Sequence, residues 1–214
     1  MPNIQRIALH EAAHAVIGCS FGLHFSTVTI EPTAADVGHC QFDSTPDLER
    51  FNDCGYRLFI RTSDAARVVA RAVVEPQIVA SLAGFAVDAR FLRKTCGEHG
   101  VTLARRTFRL PVSSSEWASL QARLDSGALS RETLADQVAA LMTDARHDIQ
   151  SALEMAVVVT LTPLEAGLFV SQRWQQAEEL VGRFWAVIET VAAELLNSRS
   201  LVEERVRAHL ESGG

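Results

Sequence analysis

The chain has 214 residues, of which 48% are hydrophobic, and this is enough apolar material for one compact domain. Its formal net charge is −6 and its arginines form no basic stripe, so the composition argues against a nucleic-acid partner. Four cysteines without a Cys-x-x-Cys pair, and no secretory leader ahead of the first motif, favour a reduced, cytoplasmic setting. The stretch 156–161 is the most apolar and is far shorter than the roughly 20 residues of a spanning helix, so we expect no membrane span.

Hydrophobic periodicity predicts a mainly helical chain with a small β element. Short strands are predicted at 27–30 and 39–42. Residues 33–57 and 94–113 are predicted to be irregular because turn formers and charges dominate them. Pro76 is predicted either to kink its helix or to begin a new one. The predicted helices are 4–21, 64–92, 114–124, 131–142, 144–160, a long helix over 162–196 that is either continuous or interrupted, and a last short helix after 200.

Capping residues mark where several of these helices begin. Asp64 and Ser130 are predicted N-caps, and Thr162 followed by proline is a strong start signal. Two capping boxes are predicted, one opening at Ser113 and one at Ser200, because each serine is followed three residues later by glutamate.

The segment His10-Glu11-Ala12-Ala13-His14 carries the chemistry in this sequence. Two histidines four residues apart on a helix project from one face, so both imidazoles can reach one ion at about 2.0–2.1 Å. Glu11 lies beside them and is placed to take a proton from a water on that ion, as in zinc peptidases. A helix that carries two histidines for packing is the alternative. The apolar neighbours favour a metal, because buried neutral histidines need partners.

A catalytic zinc needs a third protein ligand, and the sequence offers Asp148. The next histidine after the motif, His24, falls past the predicted end of its helix, so the ligand must come from further along the chain. Asp148 shares the apolar face of the predicted helix 144–160, where a carboxylate is costly unless it is paired or binds a metal. An aspartate that complements the dipole in the first turn of that helix is equally compatible with the spacing.

Five segments stand out along the chain: HEAAHAVIG, VTIEPTAADVGHCQF, IVASLAGFAVDARF, RHDIQSALEMA and AEELVGRFWAVIETVAAELLNSRSLVEERVRAHL. Taken in the same order, they resemble the peptidase domain of the FtsH-type, membrane-anchored AAA zinc proteases. The resemblance covers most of the chain except residues 94–143, which are expected to be an insertion in a single domain spanning 1–214. These 214 residues contain no Gly-x-x-x-x-Gly-Lys-[Ser/Thr] loop, so we expect activity without the ATPase half of that family.

The resemblance implies roles for particular residues. It makes Asp148 the third ligand of one zinc ion, with His10 and His14. It makes Asp88 the acid that orients the zinc histidines without itself binding the metal. Asp88 is one methylene shorter than the glutamate of the family. An ordinary exposed helix acid is the alternative. The implied fold has a zincin-like active-site helix, short strands and a C-terminal helical bundle over 162–212.

The resemblance also implies how a substrate is held. An edge strand would bind an extended peptide through its backbone at Val28, Thr29 and Ile30, with Val28 and Ile30 facing the core. A strand with only a packing role is the alternative.

Together these features predict an ATP-independent zinc peptidase that hydrolyses peptides or unfolded segments, and a homo-oligomer is possible. One alternative is a catalytically inactive zinc-binding scaffold or regulatory interaction protein derived from such a peptidase. The other is a helical interaction protein without metal.

Overall fold

The computed structural model describes residues 4–32 and 38–213. The first five residues of the predicted loop 33–57 lie outside the described residues. The described chain is mainly helical with a small antiparallel sheet, which confirms the predicted fold class. The strands are β1 (Phe25–Thr29), β2 (His39–Phe42) and β3 (Ser200–Val202). The helices are α1 (Ile4–Ser20), α2 (Pro46–Glu49), α3 (Cys54–Thr62), α4 (Asp64–Cys96), α5 (Glu98–Thr107), α6 (Ser114–Asp125), α7 (Arg131–Val158), α8 (Pro163–Arg183), α9 (Trp185–Ser198) and α10 (Glu203–Ser212), with a 3-10 turn at Arg50–Asn52.

Two central helices, α1 and α4, form the middle of the core. α1 packs against α4 and α9, and α4 also packs against α7 and α8. α1 and the part of α4 over 77–89 are buried on most of their circumference, as expected of helical segments that are surrounded by others. Ile17 of α1, Phe85 of α4 and Ile149 of α7 are among the largest fully buried side chains.

The apolar character of α4 needs a separate explanation. Among the described residues, α4 is the one helix long and apolar enough by composition to cross a membrane, with a window of mean hydropathy 1.4. The prediction that 156–161 is the most apolar stretch is wrong, because the apolar window in α4 is longer. Because 56% of the window is buried inside the fold, where α4 packs against other helices, its composition reflects a core position and gives no clear membrane span.

The sheet has the strand order β2-β1-β3, so β1 is its central strand. Val28 pairs with Cys40 of β2 and with Leu201 of β3. Ile30, just beyond β1, donates its backbone N–H to the Arg199 carbonyl at 2.9 Å. Val28 and Ile30 are fully buried, which confirms that they face the core. The prediction that β1 is an edge strand is wrong, because both of its sides are already paired, and β2 and β3 are the edges.

Three predicted helix starts are confirmed. Ser113 and Glu116 form both hydrogen bonds of a capping box at the start of α6. Ser130 caps α7 by accepting the N–H of Thr133. Thr162 caps α8 in the same way, with Pro163 at the first helical position.

Two other predicted starts are wrong. The N-cap of α4 is Ser63, and Asp64 is the first residue of the helix. No capping box forms at Ser200, which instead lies in β3. The carboxylate of Glu203 accepts the backbone N–H of Phe25 at 3.0 Å, so it ties the last helix to β1 rather than capping its own turn.

The region from 94 onward is more helical than predicted. Residues 98–107 form α5 where an irregular segment was expected, and α3 likewise extends into the predicted loop. Gly97, with φ 66°, ends α4 and allows α5 to start at once, so the glycine separates two helices. The two helices predicted over 131–142 and 144–160 are one continuous helix, α7, and α4 is unbroken at Pro76.

Candidate metal site

The candidate site lies where α1 faces α4, and each helix contributes three residues spaced four apart. At this spacing, side chains on one helix lie above one another on the same face. The two stripes are Arg6, His10 and His14 on α1, and Ala80, Gly84 and Asp88 on α4. His10 and His14 are 3% and 5% exposed, so the imidazoles are enclosed by the helix pair rather than solvated.

Gly84 makes room for the two imidazoles. A Cβ at this position would lie 2.4 Å from the Nε2 atoms of both His10 and His14. Carbon atoms do not approach ring nitrogens so closely, so the rings can occupy these positions only beside a glycine. Gly84 lies in the segment IVASLAGFAVDARF that carries the family resemblance, but no role was predicted for it. A glycine inside an alanine-rich helix, one turn before Asp88, was the available signal, since an internal glycine costs helix stability without a packing reason.

Hydrogen bonds behind the rings fix which nitrogen carries the proton. His10 donates from Nδ1 to Oδ2 of Asp88 at 3.1 Å, and His14 donates from Nδ1 to the carbonyl oxygen of Ala80 at 2.8 Å. Both partners are acceptors, so both Nδ1 atoms carry hydrogen in the neutral rings. The Nε2 lone pairs therefore point towards each other at 3.1 Å, in the orientation that metal-binding histidines adopt. Asp88 is 1% exposed, which excludes the alternative of an ordinary exposed acid.

Asp148 of α7 completes a triangle of acceptor atoms. Its Oδ2 lies 3.0 Å from Nε2 of His10 and 3.2 Å from Nε2 of His14. Four ligands at about 2.0–2.1 Å around a tetrahedral ion are about 3.3 Å apart, so the three edges are close to those of a zinc site. α7 begins at Arg131, so Asp148 is far from its first turn, and the alternative role at a helix dipole is wrong. Two imidazoles and one carboxylate are the donor set that a catalytic zinc uses.

The surroundings favour positive charge at this point. Burial lowers the pKa of His10, but the charge of Asp88 and hydrogen bonds to Asp148 and Asp88 raise it well above its usual value. Burial also lowers the pKa of His14, but the charge of Asp148, its hydrogen bond and the charge of Glu11 together raise this pKa above its usual value. Burial opposes ionisation of Asp148, yet the neighbouring histidines hold its pKa below the usual range. A site with these preferences is electrostatically suited to a cation.

A cleft of about 540 Å³ opens onto the triangle. Glu11, 6% exposed, lines this cleft next to the ligand atoms. β2 forms one wall, and a Cβ on Gly38 would lie 3.1 Å from Oε1 of Glu11, so the chain leading into β2 runs directly beside that carboxylate. The lining consists of His10, Glu11, His14, Gly38, His39, Cys40, Gln41, Phe42, Gln77, Ser81, His147, Asp148, Ser151 and Met155.

The strand that lines the cleft is β2, whereas β1 was predicted to hold the substrate. Val28, Thr29 and Ile30 were predicted to bind substrate, but they do not line the cleft, because β2 lies between β1 and the opening. His147, next to Asp148 on α7, is exposed and also lines the cleft. Gln77 and Ser81 of α4 were not predicted, although they lie seven and three residues before Gly84, a spacing that places them on the same side of α4.

Comparison with known proteins finds no family model that matches the chain and no match among the curated proteins. The resemblance to FtsH-type peptidase domains therefore stays a prediction that rests on the five sequence segments. The chemistry of the site has to be inferred from its own residues.

Proposed function

We propose that this protein is a zinc-dependent, ATP-independent peptidase that acts in the cytoplasm on peptides or unfolded segments. The observation that supports this most strongly is the meeting of three ligand atoms, from His10, His14 and Asp148, in a cleft that also contains a buried glutamate. A metal site with a structural role uses four protein ligands and is closed. Here three protein ligands border an open cleft, which is the arrangement of a catalytic site.

Each residue has a defined task in this proposal. A bound zinc ion would lower the pKa of a water and polarise the substrate carbonyl. Glu11 would accept the proton of the attacking water and deliver it to the departing amine. Asp88 would hold His10 in the tautomer that leaves Nε2 free, and the Ala80 carbonyl would do the same for His14. Gly84 would keep α4 close enough for both contacts.

Substrate would bind along β2 rather than along β1. Among the described residues, the sheet leaves the outer side of β2 unpaired, and β2 lines the cleft beside Glu11. An extended peptide can add to such an edge through backbone hydrogen bonds, which carry little sequence preference. This mode suits unfolded segments, because a folded chain has no free backbone to offer.

The charges in the cleft favour internal peptide bonds. Glu11 and Asp148 are acidic, and the described lining residues include no lysine or arginine. Recognition of a C-terminal carboxylate normally uses arginine or lysine, and neither is present in the part of the lining that the structure describes. We therefore propose an endopeptidase that accepts substrates with blocked ends.

A glutamine at position 11 tests this proposal. Fluorescence-quenched peptides with blocked termini would be incubated with zinc-loaded wild type, Glu11→Gln and Glu154→Gln, an exposed control on α7. We expect Glu11→Gln to retain zinc and to lose about 10²–10⁴-fold in kcat, the contribution typical of general base catalysis, while the control is unchanged. Full activity of Glu11→Gln would contradict the assigned base. A wild type that binds zinc and cleaves none of the peptides would instead support the non-catalytic scaffold.

A further inference from the structure

Arg6 is a charged residue buried behind the candidate metal site. Its side chain is 7% exposed, and it lies outside the lining of the cleft. Its NH1 donates to Oδ1 of Asp88 at 2.8 Å. A buried guanidinium is costly to desolvate, so its position against a carboxylate that itself touches His10 calls for a function or a structural reason.

The carboxylate of Asp88 is divided between two partners. Oδ1 accepts from Arg6, and Oδ2 accepts from Nδ1 of His10 at 3.1 Å. Asp88 is 1% exposed, so water cannot readily replace a lost donor. Without Arg6, the carboxylate would be free to turn about its Cβ–Cγ bond in search of another donor. The orientation of Oδ2 towards His10 therefore depends on Arg6.

We propose that Arg6 is a positioning residue that acts on His10 through Asp88 and thereby sets the affinity of the site for zinc. This inference rests on the proposed zinc site. Arg6 and His10 are one turn apart on α1, and both contact the same carboxylate on α4, so the three residues form one chain of contacts from the core to the ligand atom Nε2. Partners that orient a metal-binding histidine commonly contribute to affinity as well as to structure.

A purely structural role makes a different prediction. If the ion pair only ties α1 to α4, its loss lowers stability and leaves zinc affinity unchanged. The ion pair between Arg173 and Glu75 serves as a control away from the site, because it ties α8 to α4 at 3.1 Å and neither residue lines the cleft. Its side chains are 22% and 31% exposed, so the loss of stability on its removal is expected to be smaller than for the buried pair of Arg6 and Asp88.

The test compares zinc affinity in six proteins. These are wild type, Arg6→Met, Arg6→Lys, Asp88→Asn, the double variant Arg6→Met/Asp88→Asn, and Arg173→Met. The dissociation constant for zinc is measured by competition with a chromophoric chelator, unfolding is followed in EDTA, and the Nδ1–H signal of His10 is followed by NMR. The full chain is used throughout.

We expect Arg6→Met to weaken zinc binding about tenfold and Asp88→Asn about 10–100-fold, the range found for partners of ligating histidines. The double variant should bind no more weakly than Asp88→Asn, because Arg6 acts only through Asp88. Arg6→Lys should restore most of the affinity and the His10 signal, since it keeps a charged donor. Arg173→Met should lose stability with zinc affinity intact.

Three results would overturn the inference. The first is wild-type zinc affinity in Arg6→Met together with a loss of stability. The second is an additive loss in the double variant, which would show that Arg6 does not act through Asp88. The third is a wild type that binds no zinc, in which case the proposed function fails as well. If Arg6→Met does not fold, Arg6→Gln replaces it, and the affinity is expected between those of wild type and Asp88→Asn.

Discussion

Replacement of Gly84 by alanine tests whether the close approach of α4 to the two histidines creates the metal site. The added Cβ would stand 2.4 Å from both Nε2 atoms, whereas ordinary contact begins at 3.4 Å. The rings or the helix must therefore move by about 1 Å, and metal–ligand distances tolerate only about 0.2 Å. We expect the zinc affinity to fall at least about tenfold, a loss comparable with removing a supporting partner.

The stability of the metal-free protein should change less than the zinc affinity. Alanine is favoured over glycine in a helix by about 1 kcal/mol, and overpacking a core costs about 1–3 kcal/mol, so the two effects partly offset each other. Gly182→Ala in α8 is the matched control, because a Cβ there meets nothing within 4 Å. It should be neutral or slightly stabilising, with zinc affinity unchanged.

The assay is zinc competition with a chromophoric chelator, together with thermal unfolding of each variant in EDTA. Wild-type zinc affinity in Gly84→Ala would refute the reasoning, because it would mean that the imidazoles need no glycine beside them. A loss of zinc affinity in Gly182→Ala as well would show that the effect is general to helix glycines and not specific to the site.

Three further outcomes are expected. Asp148→Ala should weaken zinc binding more than Asp88→Asn does, since it removes a ligand rather than a supporting partner; equal affinities in a chelator competition would contradict its role. Removing zinc that was present at about 100 times its dissociation constant should cost about 2.7 kcal/mol of stability, or about 5–10 °C in melting temperature, by scanning calorimetry; an unchanged melting temperature would argue against a metal bound by the folded state. Ser113→Ala should cost about 1 kcal/mol in urea unfolding by removing the α6 capping box, with zinc affinity unchanged; no loss would mean that the cap contributes nothing.

The spacing of residues along single helices was enough to predict much of the site. His10 and His14 share a face because they are four residues apart. Asp148 was a candidate because a carboxylate on an apolar helix face needs a partner, and the resemblance to FtsH-type peptidases made it the third ligand. The cap signals at Ser113 and Thr162 were also local, and the structure contains both. These features depend on neighbours within one turn, which the sequence displays directly.

The features that the sequence did not reveal depend on distant neighbours. The resemblance implied that β1 is an edge strand, whereas its partner β3, which comes more than 170 residues later in the chain, was not predicted as a strand. Ser200 and Glu203 matched a capping box, but a tertiary contact of Glu203 with Phe25 replaced it. The roles of Gly84 and Arg6 become visible only when α1 and α4 are placed side by side, because each contacts residues of the opposite helix.

Anomalous diffraction is the most direct test of whether a zinc ion binds between His10, His14 and Asp148. Crystals grown with zinc would be measured on both sides of the zinc absorption edge. We expect one anomalous peak about 2.0–2.1 Å from both Nε2 atoms and from Oδ2 of Asp148. Density without a peak at that point, with the histidines hydrogen-bonded directly to the carboxylate, would contradict it.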